Sequence, residues 1–381
     1  MSSPKAAKEP LFLKIVRIFL GIVFIFSSFV KGVDPLGTAY RVEDYLIAYG
    51  IEWLLPMALI IAFLLISAEF IIGAALLLKL HPRLAAWSVL LIMIFFTIVT
   101  YFDARYNLVP DCGCFGDAVK LSNWATFYKN IFLIVLAAIV FFMQKRMPVK
   151  TPGWLQSVLV FLIAGGFVWF VNYNYNHLPL VDFRDWRVGK DMRNSGEENI
   201  KTYVTYRNKE TGEVKEFLSP DYPWNDTVWM KRWEFVDQRT DESGVVRKHG
   251  LFIEDAEGDD VTKSIIENPG YQLILTTYDL EHADSGGMIK ASELFHSLAD
   301  NENISFVLLS SSAEDVVEKY KEVYRIDYEV YFADDIELKA MIRSNPGMML
   351  MHDGVVIKKW HYNDFPDGKE LKKVMTEASS E

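Results

Sequence analysis

Two cysteines occur in the 381 residues, and they stand one residue apart: Cys112 and Cys114, in Pro110-Asp111-Cys112-Gly113-Cys114-Phe115-Gly116-Asp117. A disulfide across Cys-Gly-Cys closes a ring of about eleven atoms, tighter than relaxed disulfide geometry allows, so it would be strained and easily reduced. Gly113 supplies the backbone freedom that so small a ring needs. A staple this short removes little entropy from the unfolded chain, which argues against a purely stabilising role. The spacing therefore favours thiol–disulfide exchange. An inert or structural pair, pairing with a second chain and a soft-metal site stay open. A metal would need further ligands, and the only histidine of residues 1–175, His81, is assigned to the opposite face of the membrane.

Glu69, in Ser67-Ala68-Glu69-Phe70, is the one ionisable residue well inside an apolar stretch. A membrane-embedded carboxylate costs a few kcal/mol to insert and is a functional candidate by default. The alternative is an interhelical hydrogen bond from a protonated Glu69 near Gly73.

Positioning these groups falls to five apolar stretches, residues 11–30, 55–78, 84–102, 128–143 and 154–172. About 20 apolar residues cross the hydrocarbon, at about 1.5 Å of rise each. Lys5, Lys8, Lys14 and Arg17 surround the start of the first stretch. Lys79, His81 and Arg83 fill the turn between the second and third, and Lys145, Arg146 and Lys150 separate the fourth and fifth. The positive-inside rule places these three regions in the cytoplasm. The segments 31–54 and 103–127, richer in acid than base, then face out as loops, together with everything beyond the fifth span. The cysteines thereby lie on the side where disulfides persist. The first stretch reads as an uncleaved helix, because its apolar region is long and its exit, Ser27-Ser28-Phe29-Val30-Lys31, lacks a signal-peptidase pattern. The expected location is the bacterial cytoplasmic (inner) membrane, multi-pass, with the N-terminus cytoplasmic and the C-terminal domain periplasmic.

The averages of 51% hydrophobic and 23% charged residues hide a division. Residues 1–175 hold 14 Lys and Arg against 9 Asp and Glu, a net +5; residues 176–381 hold 25 against 41, a net −16. No basic surface large enough to neutralise phosphates remains, which excludes nucleic acid as a partner. Aromatic and β-branched residues run through the acidic half, so it is not a disordered tail. Two cysteines exclude a disulfide-stapled scaffold.

A four-helix membrane unit with Asp-Cys-Gly-Cys-Phe-Gly ahead of its fourth span resembles the DoxX/MauE group of membrane proteins, over about residues 11–147. The resemblance implies maturation of disulfide-containing periplasmic proteins or quinone-linked sulfur oxidation, with Cys112 and Cys114 carrying the exchange. No second cysteine pair exists, so an internal relay is excluded, and electrons leave by a quinone, a flavin-bearing partner or another protein. No cofactor motif is evident; a quinone is the candidate carrier, and Glu69 is the embedded residue placed to contact it.

Residues 178–246 read as a β-rich insert, with a hairpin from 201–207 to 213–218 and a strand-like run at 229–236. Beyond 247, strands at 271–277, 304–309, 328–332, 347–351 and 355–360 alternate with helices at 288–300, 313–324, 337–343 and 367–376. The last two strands join through Asp353-Gly354. The order β-α-β-α-β-α-β-β-α resembles a thioredoxin-like domain, with Pro346 at that fold's cis-proline position and a partner cleft beside it. The sequence departs from that fold where its chemistry lies, because the loop from Tyr278 to Met288 has no cysteine and cannot exchange disulfides. His282, near Asp284 and Ser285, lacks an evident oxyanion site and reads as part of a solvated loop.

The expected fold is a membrane α-helical bundle followed by an α/β thioredoxin-like extracytoplasmic domain. Its divisions are a four-helix DoxX/MauE-like unit (1–150), a fifth spanning helix and linker (151–177), the β-rich insert (178–246) and the thioredoxin-like domain without active-site cysteines (247–381). The leading functional expectation is redox exchange through Cys112 and Cys114 with a periplasmic thiol/disulfide protein or a membrane redox subunit. The rival is a non-enzymatic, membrane-anchored interaction or assembly protein. A transporter built on Glu69 is weaker, for want of an inverted repeat.

Overall fold

The computed structural model describes residues 8–109, 113–195, 200–241, 243, 245–298 and 303–378. Among them, five helices are long and apolar enough to cross a membrane: α1 (Leu11–Val33), α3 (Ala58–Leu78), α4 (Pro82–Tyr106), α5 (Asn123–Met143) and α6 (Gly153–Asn176). Large apolar side chains cover their outer surface, with Phe142 80% and Phe161 76% exposed. Water would not tolerate such a surface, whereas lipid solvates it. Four of the five outrun the apolar stretch that foretold them, because polar end turns continue the backbone hydrogen bonding, whereas α3 begins only at Ala58, after a 3-10 turn over Glu52–Met57.

Within the bundle α1 packs against α3, and α4 against α5. The α1–α3 approach is close: a Cβ on Gly73 would lie 2.9 Å from Ile25 Cγ1 and 3.0 Å from the Gly21 carbonyl oxygen. Small residues at such a crossing let backbones meet within the membrane. The expected loop 31–54 holds a helix instead, α2 (Pro35–Ala48). Its start obeys ordinary capping rules, with Asp34 accepting from the Gly37 N–H at 2.9 Å and Pro35 in the first turn. The odd number of spans puts α2, the α4–α5 loop and the domain after α6 at the same end of the bundle.

That domain is built on a six-stranded sheet in the order β4 (Ile253–Glu254), β7 (Glu329–Ala333), β6 (Ile304–Ser310), β5 (Tyr271–Thr277), β8 (Gly347–His352), β9 (Val355–His361). Strands β5, β6 and β7 run parallel, while β8 and β9 form an antiparallel hairpin against β5. Alternate residues feed two cores. Leu273, Leu275, Leu308 and Leu350 meet α9 (Ser285–Ser297), α10 (Glu314–Tyr324) and α12 (Gly368–Ala378) on one face. Ile274, Val307, Leu309 and Met349 meet α8 (Thr262–Ile266), α11 (Asp335–Met341), Trp186 and Met192 on the other. A β-α-β-α-β unit followed by a hairpin and a last helix is a thioredoxin-like arrangement.

A separate three-stranded sheet has the order β2 (Val214–Leu218), β1 (Lys201–Asn208), β3 (Trp233–Asp241). The strand expected at 229–236 starts only at Trp233. Asp226 accepts from the N–H groups of Val228 and Trp229 and caps a short helix, α7 (Thr227–Arg232), which stacks Trp229 on Trp233 at 5.5 Å. Aromatic content suits a strand equally well, but the cap decides the backbone.

Candidate redox site

The α4–α5 loop is tied at its base. Asn107 closes α4 in the left-handed conformation, and Asn123, at the start of α5, donates to Asn107 Oδ1 at 3.1 Å and to the Val109 carbonyl at 3.0 Å. Cys112 lies outside the described residues. From Gly113 onward the loop folds down onto α1. The Gly116 N–H donates to the Gly113 carbonyl at 3.0 Å, making a turn around Cys114. Gly116 has φ +50°, and a Cβ there would stand 3.0 Å from Val30 Cγ1. The Phe115 ring packs on Phe26 at 5.5 Å, and Lys129 Nζ sits 4.4 Å from its centroid. Cys114 is half-buried within this turn.

Directly beneath lies an ion pair. Lys31 Nζ is 2.6 and 2.9 Å from the two carboxylate oxygens of Glu69, with Lys31 7% and Glu69 1% exposed. Ser27, one helical turn before Lys31, joins the pair to the loop: its Oγ is 3.0 Å from Glu69 Oε2 and 2.8 Å from the Cys114 carbonyl oxygen. The Phe96 ring shields the ammonium at 5.5 Å. A buried pair this close offsets its desolvation cost only because every partner is in place.

The thioredoxin-like domain covers the same end of the bundle. Arg343 donates to Asp34 at 2.9 and 3.2 Å, and its guanidinium stands 3.9 Å from Asp117, three residues beyond Cys114. Burial opposes the charge on Asp34, but Arg343 and Arg184 overcome it and hold the carboxyl below the ordinary carboxylate range. Tyr40 of α2 meets Tyr278 edge-on at 6.5 Å, with Lys339 Nζ 5.0 Å from the Tyr40 ring, and burial raises both phenols above their usual range. A small cavity at this seam is lined by Val30, Asp34, Asp117 and Arg184. Behind it, the Lys359 ammonium lies 2.7 Å from Asp182, which Arg184 also holds at 2.9 Å. At the exit of α6, His177 pairs with Asp364 at 2.9 Å, and Asn363 donates to the Asn176 carbonyl at 2.8 Å.

Of the residues singled out in the sequence, the structure brings Glu69 and Cys114 together through Ser27. Pro346 follows a cis Asn345–Pro346 peptide but is itself buried. The first turn of α9 closes over it: a Cβ on Gly287 would lie 3.0 Å from Pro346 Cγ and 2.7 Å from Tyr362 Cβ. Asn345 fastens the cysteine-less loop, donating to the Asp279 carbonyl at 2.6 Å while Thr277 donates to it at 2.7 Å. His282 is 82% exposed and pairs locally with Asp279. Sequence reasoning missed Lys31, Ser27 and Arg343. The first two share one face of α1 at i and i+4, a signal visible once that helix runs on to Val33.

Fold and site together define a class: a helical membrane bundle, its cysteine loop seated on a buried ion pair, joined by a fifth spanning helix to a thioredoxin-like domain. Residues 9–143, which span α1 to α5, match the family described as methylamine utilisation protein MauE, so this part of the chain is similar to that membrane-protein family. No curated protein matches the chain. Two solved structures from Bacteroides thetaiotaomicron are similar to part of it. One is the C-terminal domain of a protein described as a thiol-disulfide oxidoreductase, at 19% identity over 34% of this chain and 91% of that one, with a TM-score of 0.28. The other, described as a protein disulfide isomerase, shares 12% identity over 34% of this chain and 85% of that one, with a TM-score of 0.27.

Proposed function

We propose that this protein is a thiol–disulfide redox protein of the bacterial inner membrane, working through Cys112 and Cys114. The observation that carries the reading is the seat of Cys114: a loop joined through Ser27 to a buried Lys31–Glu69 pair and overlain by a thioredoxin-like domain that has no cysteine of its own. A structural staple does not require a buried charge pair beneath it. In the forward step two cysteine S–H bonds break and one S–S bond forms. Two electrons and two protons pass to a quinone, giving the quinol, and a partner dithiol then regenerates the Cys112/Cys114 dithiol by disulfide exchange, the partner leaving with the disulfide. The distribution of Lys79, Arg83, Lys145, Arg146 and Lys150 supports a cytoplasmic position for the opposite end of the bundle, and so a periplasmic loop and domain.

Single-cysteine variants test this reading. Cys112→Ser or Cys114→Ser should trap a mixed disulfide with the partner, seen as a reducible adduct on non-reducing gels, and the double variant should trap none. If neither single variant forms an adduct and both keep full function, the redox reading fails. A second reading is favoured by the cysteine-free loop after β5: an interaction protein whose thioredoxin-like domain only binds an envelope partner. It expects the double cysteine variant to behave as wild type while removal of residues 178–381 abolishes function.

A further inference from the structure

Helices α4 and α5 meet through a ladder of polar side chains. Thr100 and Asp103 of α4 and Asn107 at its end share one face, at spacings of three and four residues, as do Asn123, Thr126 and Asn130 of α5. The antiparallel register closes both outer rungs: Asn130 Nδ2 donates to Thr100 Oγ1 at 3.1 Å, and Asn123 Nδ2 donates to Asn107 Oδ1 at 3.1 Å. The rung between them is different. Asp103 is 1% and Thr126 0% exposed, yet Asp103 Oδ1 and Thr126 Oγ1 have no hydrogen-bond partner. Asn123 adds a third such oxygen. Its amide nitrogen is committed to Asn107 and to the Val109 carbonyl, which can only accept, so its Oδ1, also buried without a partner, is left to the same layer.

Charge sharpens what this layer asks for. The other oxygen of Asp103 accepts from Tyr45 of α2 at 2.6 Å, and among the described residues no Lys, Arg or His pairs with the carboxylate. Glu69, the other fully buried acid of the bundle, has Lys31 at 2.6 Å. A buried carboxylate is strongly disfavoured without a cation, and water would satisfy its hydrogen bonding while bringing no charge. We infer that Asp103, Asn123 and Thr126 form a binding site for a monovalent cation of sodium's size, at the loop end of the α4–α5 interface. Donors that are all oxygen select a hard cation, and one carboxylate with two neutral oxygens suits a single positive charge, whereas calcium takes more oxygens and more carboxylates. Direct hydrogen bonds on both flanks hold the helices too close for a larger ligand. The ion ties α4 to α5, and through Tyr45 to α2, at the base where Asn123 also holds Val109. This inference goes beyond the redox reading and does not depend on it.

Equilibrium binding of radioactive sodium to the full-length protein in lipid nanodiscs tests it, with unlabelled NaCl as competitor and choline chloride holding the ionic strength constant. The wild type should show a single saturable class of sodium sites. Asp103→Asn, which still accepts from Tyr45, should lose it, and the similarly shaped Thr126→Val should weaken it about tenfold, the weight of one oxygen facing a charge. Ser157→Ala, at the opposite end of the bundle, should bind as the wild type does. Thermal unfolding gives a second readout: NaCl should raise the wild-type midpoint above its value in choline chloride, and should leave that of Asp103→Asn unmoved. No saturable binding by the wild type overturns the inference and leaves water as the occupant. Binding that persists unchanged in Asp103→Asn overturns it too, as does displacement of sodium by an equal concentration of calcium.

Discussion

Gly116 sets how closely the cysteine loop lies on α1. Its φ of +50° and the 3.0 Å between a built Cβ and Val30 Cγ1 make any side chain there costly twice over, in backbone strain and in space. Gly116→Ala should lift the loop, cost about 1–2 kcal/mol, and speed maleimide labelling of Cys114. Gly153→Ala, at a helix start with open space around it, is the control and should leave both stability and labelling unchanged. At this scale the sequence was informative about single residues and poor about pairs. Cys114 and Glu69 stood out because a lone acid in a span and a Cys-Gly-Cys run are chemically conspicuous. Lys31 looked like the flank of a span, and only the continuation of α1 to Val33 turns it inward to meet Glu69.

Among the elements, hydrophobic periodicity revealed the spans and the strands of the larger sheet, since burial on two faces leaves unbroken apolar runs such as Leu273–Leu275. It failed at α2 and α7, which are held by the caps Asp34 and Asp226 and by docking rather than by a strong apolar stripe. One element boundary carries a titration. His361, at the end of β9, is 2% exposed, and its Nδ1 accepts from the Asn363 N–H at 3.2 Å, which requires a neutral ring. Burial pushes its pKa down from 6.5 to about 4. Because the folded pKa of this base lies below the unfolded value, the unfolded chain takes up a proton first as pH falls. Stability is thus unaffected above about pH 6.5 and declines between there and about pH 4, by about 2 kcal/mol at pH 5. His361→Asn keeps an acceptor for Asn363 and should remove that part of the slope in urea unfolding of the full-length protein. Equal slopes in the two proteins would refute the assignment.

The whole molecule depends on a seam that no local pattern could disclose. Arg343 and Asp34 lie 309 residues apart, in a loop after α11 and at the cap of α2, and neither is conspicuous in its own segment. The docking of the thioredoxin-like domain was therefore invisible in the sequence, although its strand order was legible. Arg343→Met would leave the part-buried Asp34 carboxylate without its closest cation, at a cost of about 1–3 kcal/mol. The domain should then detach, with faster proteolysis around residues 177–185 and faster labelling of Cys114. Asp34→Asn keeps the α2 cap, so the double variant with Arg343→Met should be milder than Arg343→Met alone. Strictly additive effects would show that the two residues do not act as a pair.

The seat of the cysteine loop, pressed between α1 below and the Arg343 seam above, also constrains turnover. With two cysteines in the chain, one pair of electrons can be stored at a time. In the redox reading, donor and acceptor must use the same loop in succession, so neither can wait in a ternary complex while the other reacts. Steady-state rates measured against both substrates should then follow a ping-pong pattern, with parallel double-reciprocal lines.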